Sequence, residues 1–387
     1  MEGLQKKYPH MLFKKNWKIS KSTYFQIGQC DAILKAITNT PIRPDYRENL
    51  HHVALVKGAQ ATTAIEGNTL SYEEIEAVEK GEKLQPSKEY LEKEVKNIIN
   101  AFNVILENTL INKEISLITP ELIREFHKMV GIDRGEHFTA IPGSFRKNFV
   151  AVNRYKAPDF KDVPELTKQL CLWIKKEFHY DKGQTFEESI IQAIVTHIYI
   201  AWIHPFSDGN GRTARLLEYY LLLRAGVPDI ASHILSNFYN LTRNEYYRQI
   251  EKAHNERDIS SFIAYAVQGF RDELLAILNK IQESQLLVAW RNYIYGIYDS
   301  HKGAGKTVQA NKRRRKLILA IPHDKYLSEE EIINLKIEIV KMYSDLSEKS
   351  FQRDIDELIK LDLLDKENNK YRAKIEILTR YMAFKLD

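Results

Sequence analysis

Apolar residues at helical spacing dominate this chain, and the densest run is Ile190, Ile191, Ala193, Ile194, Val195, Ile198, Ile200 and Ala201. It is apolar nearly all round, which predicts a buried helix. Thr185 followed three residues later by Glu188 is a capping box that starts it. Pro205 ends it, because proline clashes with the preceding turn and biases His204 out of the helical region. A second helix is predicted from Arg212 to Ala225, stopped by Gly226 and Pro228. Residues up to about Ser116 read as an N-terminal helical region. Within it, His52 to Glu66 forms a helix with Gly67 at its C′ position. Thr119-Pro120-Glu121 then supplies an N-cap with proline at the first helical position. Pro142 to Asn153 breaks the helical pattern: β-branched and aromatic residues between turn formers predict an extended hairpin. A further helix runs to about Ser300, followed by a small-residue linker around His301 to Thr307. Beyond it, Lys312 to Lys316 opens a helix, Ser347 to about Leu361 forms a second, and Leu363 to Arg372 reads as a hairpin around Asn368-Asn369.

At 387 residues and 44% hydrophobic content the chain should form more than one domain and bury ordinary cores. Mean hydropathy of −0.41 is that of an ordinary soluble protein, and an isoelectric point near 8.8 decides little about partners. A formal charge of +5 is mild and selects no partner. Cys30 and Cys171 make no disulfide framework and fit a reducing compartment. Met1 to Lys7 lacks the apolar region of a signal peptide. The helix near Ile190 is too short, and too interrupted by His197, to span a bilayer. The expected location is cytoplasmic, with no membrane partner.

The chemistry concentrates between the two central helices, in His204-Pro205-Phe206-Ser207-Asp208-Gly209-Asn210-Gly211-Arg212-Thr213-Ala214-Arg215. His204 is a general-base candidate at the mouth of a buried helix. Gly209 and Gly211 permit positive φ and close approach of a ligand to backbone. The following helix start offers free N–H groups and the positive end of the dipole to an anion. Arg212 and Arg215 share one face of its first turn as permanently charged, fork-shaped donors. Asp208 is the carboxylate of the loop, suited to Mg²⁺ through oxygen ligation. A purely structural account must explain two cations at the end of a helix that favours anions.

This segment resembles the signature of the Fic family, His-x-Phe-x-(Asp/Glu)-Gly-Asn-Gly-Arg-x-x-Arg, with every fixed position filled. The resemblance implies transfer of a nucleoside monophosphate, usually AMP from ATP, onto a Ser, Thr or Tyr hydroxyl of a target protein or of the chain itself. It implies that His204 takes the proton from the attacking hydroxyl and that Asp208 holds Mg²⁺. Gly209, Asn210 and Gly211 would cradle the α- and β-phosphates, Arg212 the β-phosphate side and Arg215 the γ-phosphate. Thr62, Glu66 and Gly67 are similar to the inhibitory motif (Ser/Thr)-x-x-x-Glu-(Gly/Asn) of the same family, in which the glutamate pairs with the second signature arginine, here Arg215. Pro142 to Asn153 resembles the Fic flap, whose edge pairs with the target segment, so Phe145, Phe149 and Val150 are expected to face it. Tyr246 and Tyr247 lie where relatives line the nucleotide pocket, although their spacing fits plain core equally.

The fold class expected is mainly α: a Fic-type helical core with a small β-hairpin flap, an N-terminal helical region and a C-terminal winged-helix-like domain. The boundaries expected are 1–116 for the N-terminal region with the inhibitory motif, 117–300 for the core and the helix after it, 301–309 for the linker and 310–387 for the winged-helix-like domain. Gly305-Lys306-Thr307 is not a phosphate-binding loop, since its first glycine position is Ser300 and no strand precedes it. The candidate recognition face of 310–387 (Glu348, Lys349, Gln352, Arg353, Asp356) mixes signs, which is poor for phosphate affinity. DNA binding and docking or dimerisation through protein both stay open, a homodimer among them. An autoinhibited adenylyltransferase is the leading reading. The alternatives are a DNA-binding regulator with a nucleotide-sensing core, and an enzyme that removes AMP or transfers UMP or phosphocholine.

Overall fold

The computed structural model describes residues 2–113, 116–152, 155–178, 184–299 and 306–379. Two compact units divide at Leu278 and Asn279, inside the long helix Ser260–Asp299. The division therefore falls earlier than the expected boundary at 300, because Trp290, Ile294 and Tyr298 belong to the core of the second unit. Of the expected linker, residues 301–305 lie outside the described residues, and 306–309 already form the first turn of the helix Lys306–Ala320. No helix among the described residues is long and apolar enough to cross a membrane.

The first unit is built around the helix Phe186–Ile203, buried on every side, as its apolar circumference requires. Thr185 Oγ1 accepts from the Glu188 N–H at 3.2 Å and Glu188 Oε2 accepts from the Thr185 N–H at 3.2 Å, closing the expected capping box. Against it lies the helix Asn210–Arg224, whose leucines at 216, 217, 221, 222 and 223 are all buried. Each such side chain removed from water contributes about 1.5–3 kcal/mol, so this helix pair fixes the loop between them firmly. Glu89–Leu106, Pro120–Gly131 and Pro44–Ala64 pack around the pair. Thr119 caps Pro120–Gly131 by accepting from the Leu122 N–H at 3.2 Å. The helix expected from His52 begins earlier, at Pro44, where proline occupies its first turn, and ends at Ala64. Glu66 thus sits in a turn just past the helix rather than in its last turn.

The expected flap differs in register. Its strands are Ala151–Val152 and Tyr155–Lys156, antiparallel, with Ala151 opposite Lys156 and Val152 opposite Tyr155. Residues 142–150 are not strand, and Asn153 lies outside the described residues. Gly143 turns the chain at φ +76°, and the buried guanidinium of Arg146 takes the Asn148 carbonyl that a longer ladder would need.

In the second unit, helix Lys306–Ala320, short helices Glu329–Ile333 and Ile337–Tyr343, helix Glu348–Lys360 and the hairpin Leu364–Glu367 with Lys370–Ala373 share one core. Asn368 and Asn369 form the two-residue turn at φ +48° and +57°, the primed turn that asparagine tolerates. Asp354 is fully buried and holds Arg313 at 2.5 Å, Arg314 at 2.8 Å and the Tyr343 hydroxyl at 2.9 Å. Arg315 lies over the Tyr295 ring at 4.3 Å.

Candidate functional site

His204 caps the central helix in the left-handed region, at φ +50° and ψ +59°, an uncommon conformation outside glycine. That geometry swings its imidazole back over the helix end, where Nδ1 meets the Ala201 carbonyl at 3.3 Å. A carbonyl only accepts, so Nδ1 carries the hydrogen and Nε2 keeps its lone pair. Burial, with Arg146 nearby, pushes the imidazole down to about 4, so the ring is neutral at neutral pH. The ring faces a cavity of about 500 Å³ lined also by Glu66, Gly211, Trp202, Tyr247 and Arg248.

The loop after His204 is held by its own side chains. Asn210 Oδ1 accepts from the Phe206 N–H at 2.9 Å and Asn210 Nδ2 donates to the Phe206 carbonyl at 2.8 Å. Asn210 therefore braces the loop with its amide and offers a ligand only its backbone N–H at the helix start. Phe206 stacks flat on His127 at 3.6 Å. The Gly143 N–H donates to His127 Nδ1 at 3.0 Å, so His127 Nε2 is the donor to the Asp208 carbonyl at 2.9 Å. Burial pushes His127 down to about 4. Nothing in the sequence marked His127, since its partners are backbone groups of two remote loops.

Charge in the site is nearly all engaged. Asp208 Oδ1 accepts from the Gly209 N–H at 2.6 Å and from Arg212 Nη2 at 2.5 Å. Arg212, expected on the β-phosphate side, is buried, and its Nη1 donates to Glu94 Oε1. Glu94 also accepts from Asn68 Nδ2 at 3.1 Å and lies 3.3 Å from Arg134. Glu94 is a site residue that sequence reasoning missed.

The structure brings Glu66 and Arg215 together: Arg215 Nη2 donates to Glu66 Oε1 at 2.6 Å and to the Thr62 carbonyl at 2.9 Å. Burial raises the Glu66 carboxyl, but Arg215 and Arg212 outweigh it and hold the group below its ordinary value. Thr62 acts through its carbonyl, not its hydroxyl, which has no partner among the described residues. A Cβ on Gly211 would collide with Glu66 Oε1, so glycine there leaves room for the carboxylate beside Arg215. Gly67 reverses the chain at φ +103°, a conformation that L side chains rarely adopt.

Tyr246 and Tyr247 both line the cavity. Tyr246 is buried against His197, with its hydroxyl 2.8 Å from Nε2, and the Tyr247 hydroxyl donates to the Ile65 carbonyl at 3.4 Å. The flap residues separate. Phe145 packs beneath the loop on Phe206 at 5.8 Å instead of facing outward, Phe149 is 72% exposed, and the Val150 carbonyl accepts from the Ala157 N–H at 3.2 Å, extending the hairpin.

Residues 117–222 match the Fic/DOC family. Over 207 residues the chain is 30% identical to Protein adenylyltransferase fic-1 of Caenorhabditis elegans, covering 54% of this chain and 38% of that protein. Over 228 residues it is 29% identical to Protein adenylyltransferase Fic of Nematostella vectensis, covering 59% and 47%. The chain thus spans less than half the length of these curated relatives. Among solved structures, Fic-1 (aa134–508) from C. elegans superposes with a TM-score of 0.56 at 24% identity, covering 68% of this chain and 73% of that one. A Fic family protein from Desulfovibrio desulfuricans G20 does so with a TM-score of 0.55 at 18% identity, covering 93% and 98%. These two likenesses show the fold.

Proposed function

From the premise that residues 117–222 are a Fic/DOC domain, we propose that this protein is an autoinhibited adenylyltransferase that moves AMP from ATP to a hydroxyl of a target protein and of itself. The observation that carries the reading is a neutral His204 with Nε2 free, opening on a cavity that also holds the backbone donors of a helix start. In this reaction the acceptor oxygen attacks the α-phosphorus while its proton passes to Nε2. The bond from the α-phosphorus to the bridging oxygen breaks, and pyrophosphate leaves. General-base help of this kind is worth roughly 10²–10⁴-fold, and positioning supplies much of the rest. The N–H groups of Asn210 and Gly211 would hold the phosphates, and Arg215, once released by Glu66, would take the γ-phosphate.

Mg²⁺ fits the residues present. Asp208 spends Oδ1 on Arg212 and Gly209, leaving Oδ2 for a cation. Among the described residues no group of three His, Cys, Asp or Glu could hold a metal by itself. That suits an ion taken mostly by phosphate oxygens and water, with one carboxylate. When bound, it would neutralise charge on the phosphates.

A second reading, removal of AMP with Glu66 activating water, draws support from Glu66 and His204 lining the same cavity. For residues 310–387 we favour protein docking or dimerisation over DNA. Of the basic run, Arg313 and Arg314 are engaged on Asp354 and Arg315 on Tyr295.

The test is label transfer by the Glu66→Gly chain from ATP carrying label on either the α- or the γ-phosphate. Protein-bound α-label that disappears in the further variant His204→Ala supports the proposal. Transfer of γ-label alone, or of nothing, sinks it, and loss of bound AMP from prelabelled protein favours the second reading.

A further inference from the structure

The helix that delivers His204 ends in carbonyls that it cannot satisfy itself. A helix leaves its last four C=O groups without partners, and Pro205 has no N–H to give back. The donors come from the flap segment. The Tyr155 hydroxyl, on the second flap strand, donates to the Trp202 carbonyl at 2.6 Å. Arg146 Nε donates to the His204 carbonyl at 2.7 Å, and the Arg146 backbone N–H donates to the Pro205 carbonyl at 3.0 Å. The two terminal nitrogens of Arg146 reach the Asn148 carbonyl at 2.8 Å and the Pro158 carbonyl at 2.6 Å, one on each side of the hairpin. One side chain therefore joins both legs of the flap to the peptide of His204.

Arg146 is 3% exposed and forms no ion pair among the described residues. A buried cation with no ion pair costs desolvation, which here outweighs the Coulombic attraction of Tyr155, Tyr8 and Asp159. What a guanidinium offers in exchange is a planar set of donors at fixed angles, which neither lysine nor an apolar residue reproduces. The left-handed backbone of His204 is held from the same side, through its own carbonyl.

We infer that Arg146 and Tyr155 are positioning residues that lock the flap to the C-terminal end of the His204 helix, so that a hydroxyl presented along the flap arrives in fixed register with Nε2. The inference rests on the transferase reading above. A misplacement of about 1 Å can cost roughly 10²-fold in rate, so loosening this lock should affect turnover and spare nucleotide affinity.

In the Glu66→Gly chain, saturated transfer rate, KM for ATP, ADP affinity and melting temperature are measured for Arg146→Lys and Tyr155→Phe. The expected result is a loss of about tenfold or more in rate for Arg146→Lys and of a few-fold for Tyr155→Phe, with ADP affinity within about twofold of the parent. Tyr155→Phe removes a single oxygen and decides the matter if Arg146→Lys does not fold. An unchanged rate, or ADP affinity falling in step with rate, overturns the inference. If the Glu66→Gly parent itself transfers nothing, the transferase reading fails, and amide hydrogen exchange still decides the lock. In Tyr155→Phe the Ala157 amide of the flap and the His204 amide should quicken together, and quickening of Ala157 alone overturns the coupling.

Discussion

Burial and hydrogen bonding act on the proton affinity of His204 in opposite directions, and burial wins. Desolvation disfavours the imidazolium, and the Ala201 carbonyl fixes the tautomer, so the ring is a base across the neutral range. Because its protonation is pushed down to about 4, the transfer rate should stay level from pH 8 to about 5 and fall only as pH approaches 4. A rate profile of the Glu66→Gly chain that bends near the ordinary histidine value of about 6.5 would mean that the ring is solvated in the working state. The second residue-scale consequence concerns Arg215, which is 1% exposed and has Glu66 as its anion. Glu66 itself is exposed, so only the Arg215 end of the pair is buried; Glu66→Gly leaves that guanidinium without its anion and should lower the melting temperature, and ATP, bringing a replacement anion, should restore it. The same substitution should raise transfer, but with Arg215→Ala already present it should raise it little further. Equal activation in both backgrounds would show that the glutamate acts by another route, such as blocking access of the target.

At the level of elements, legibility followed the range of the interactions. The central helix, its capping box and its stop at Pro205 are local, and so the sequence predicted them. The two-asparagine turn of the C-terminal hairpin was legible for the same reason. The flap was misplaced because Arg146 spends its donors on carbonyls that strand propensity alone would leave to a ladder. Glu94 was invisible because it meets Arg212 across 118 residues of sequence. The turn at Gly67 carries its own prediction. At φ +103°, with nothing within 4 Å of an added Cβ, Gly67→Ala is penalised by backbone conformation alone, at about 1–3 kcal/mol. Unseating Glu66 relieves that strain, so self-labelling by Gly67→Ala should exceed that of the unaltered chain. Unaltered labelling alongside an unaltered melting temperature would show that the turn accommodates the side chain.

For the molecule as a whole, the division at Leu278 and Asn279 says where the chain should tolerate a cut. A chain ending at Leu278 in the Glu66→Gly background should fold and label itself. One ending near Gly303 keeps Trp290, Ile294 and Tyr298 without the helices that bury them in the second unit, and should aggregate. Soluble yield and labelling of the two truncations test this, and an inactive but folded chain ending at Leu278 would mean that the second unit completes the site. The larger consequence belongs to Asn68. It stands two residues beyond Glu66, and its amide grips Glu94, the carboxylate that engages Arg212. One short turn therefore has a hand on both signature arginines, pulling on Arg215 directly and on Arg212 at one remove. A signal that tugs the turn aside slackens two tethers at once, so the response should resemble a latch more than a dial. Asn68→Ala cuts the indirect tether, together with the bonds of the same amide to the Leu70 N–H and the Leu91 carbonyl, and leaves the Glu66–Arg215 pair itself in place. It should give partial activation, and adding it to Glu66→Gly should change the rate by less than the product of the two separate effects. Strict multiplication of the two would mean that the tethers are independent and that each arginine is released on its own.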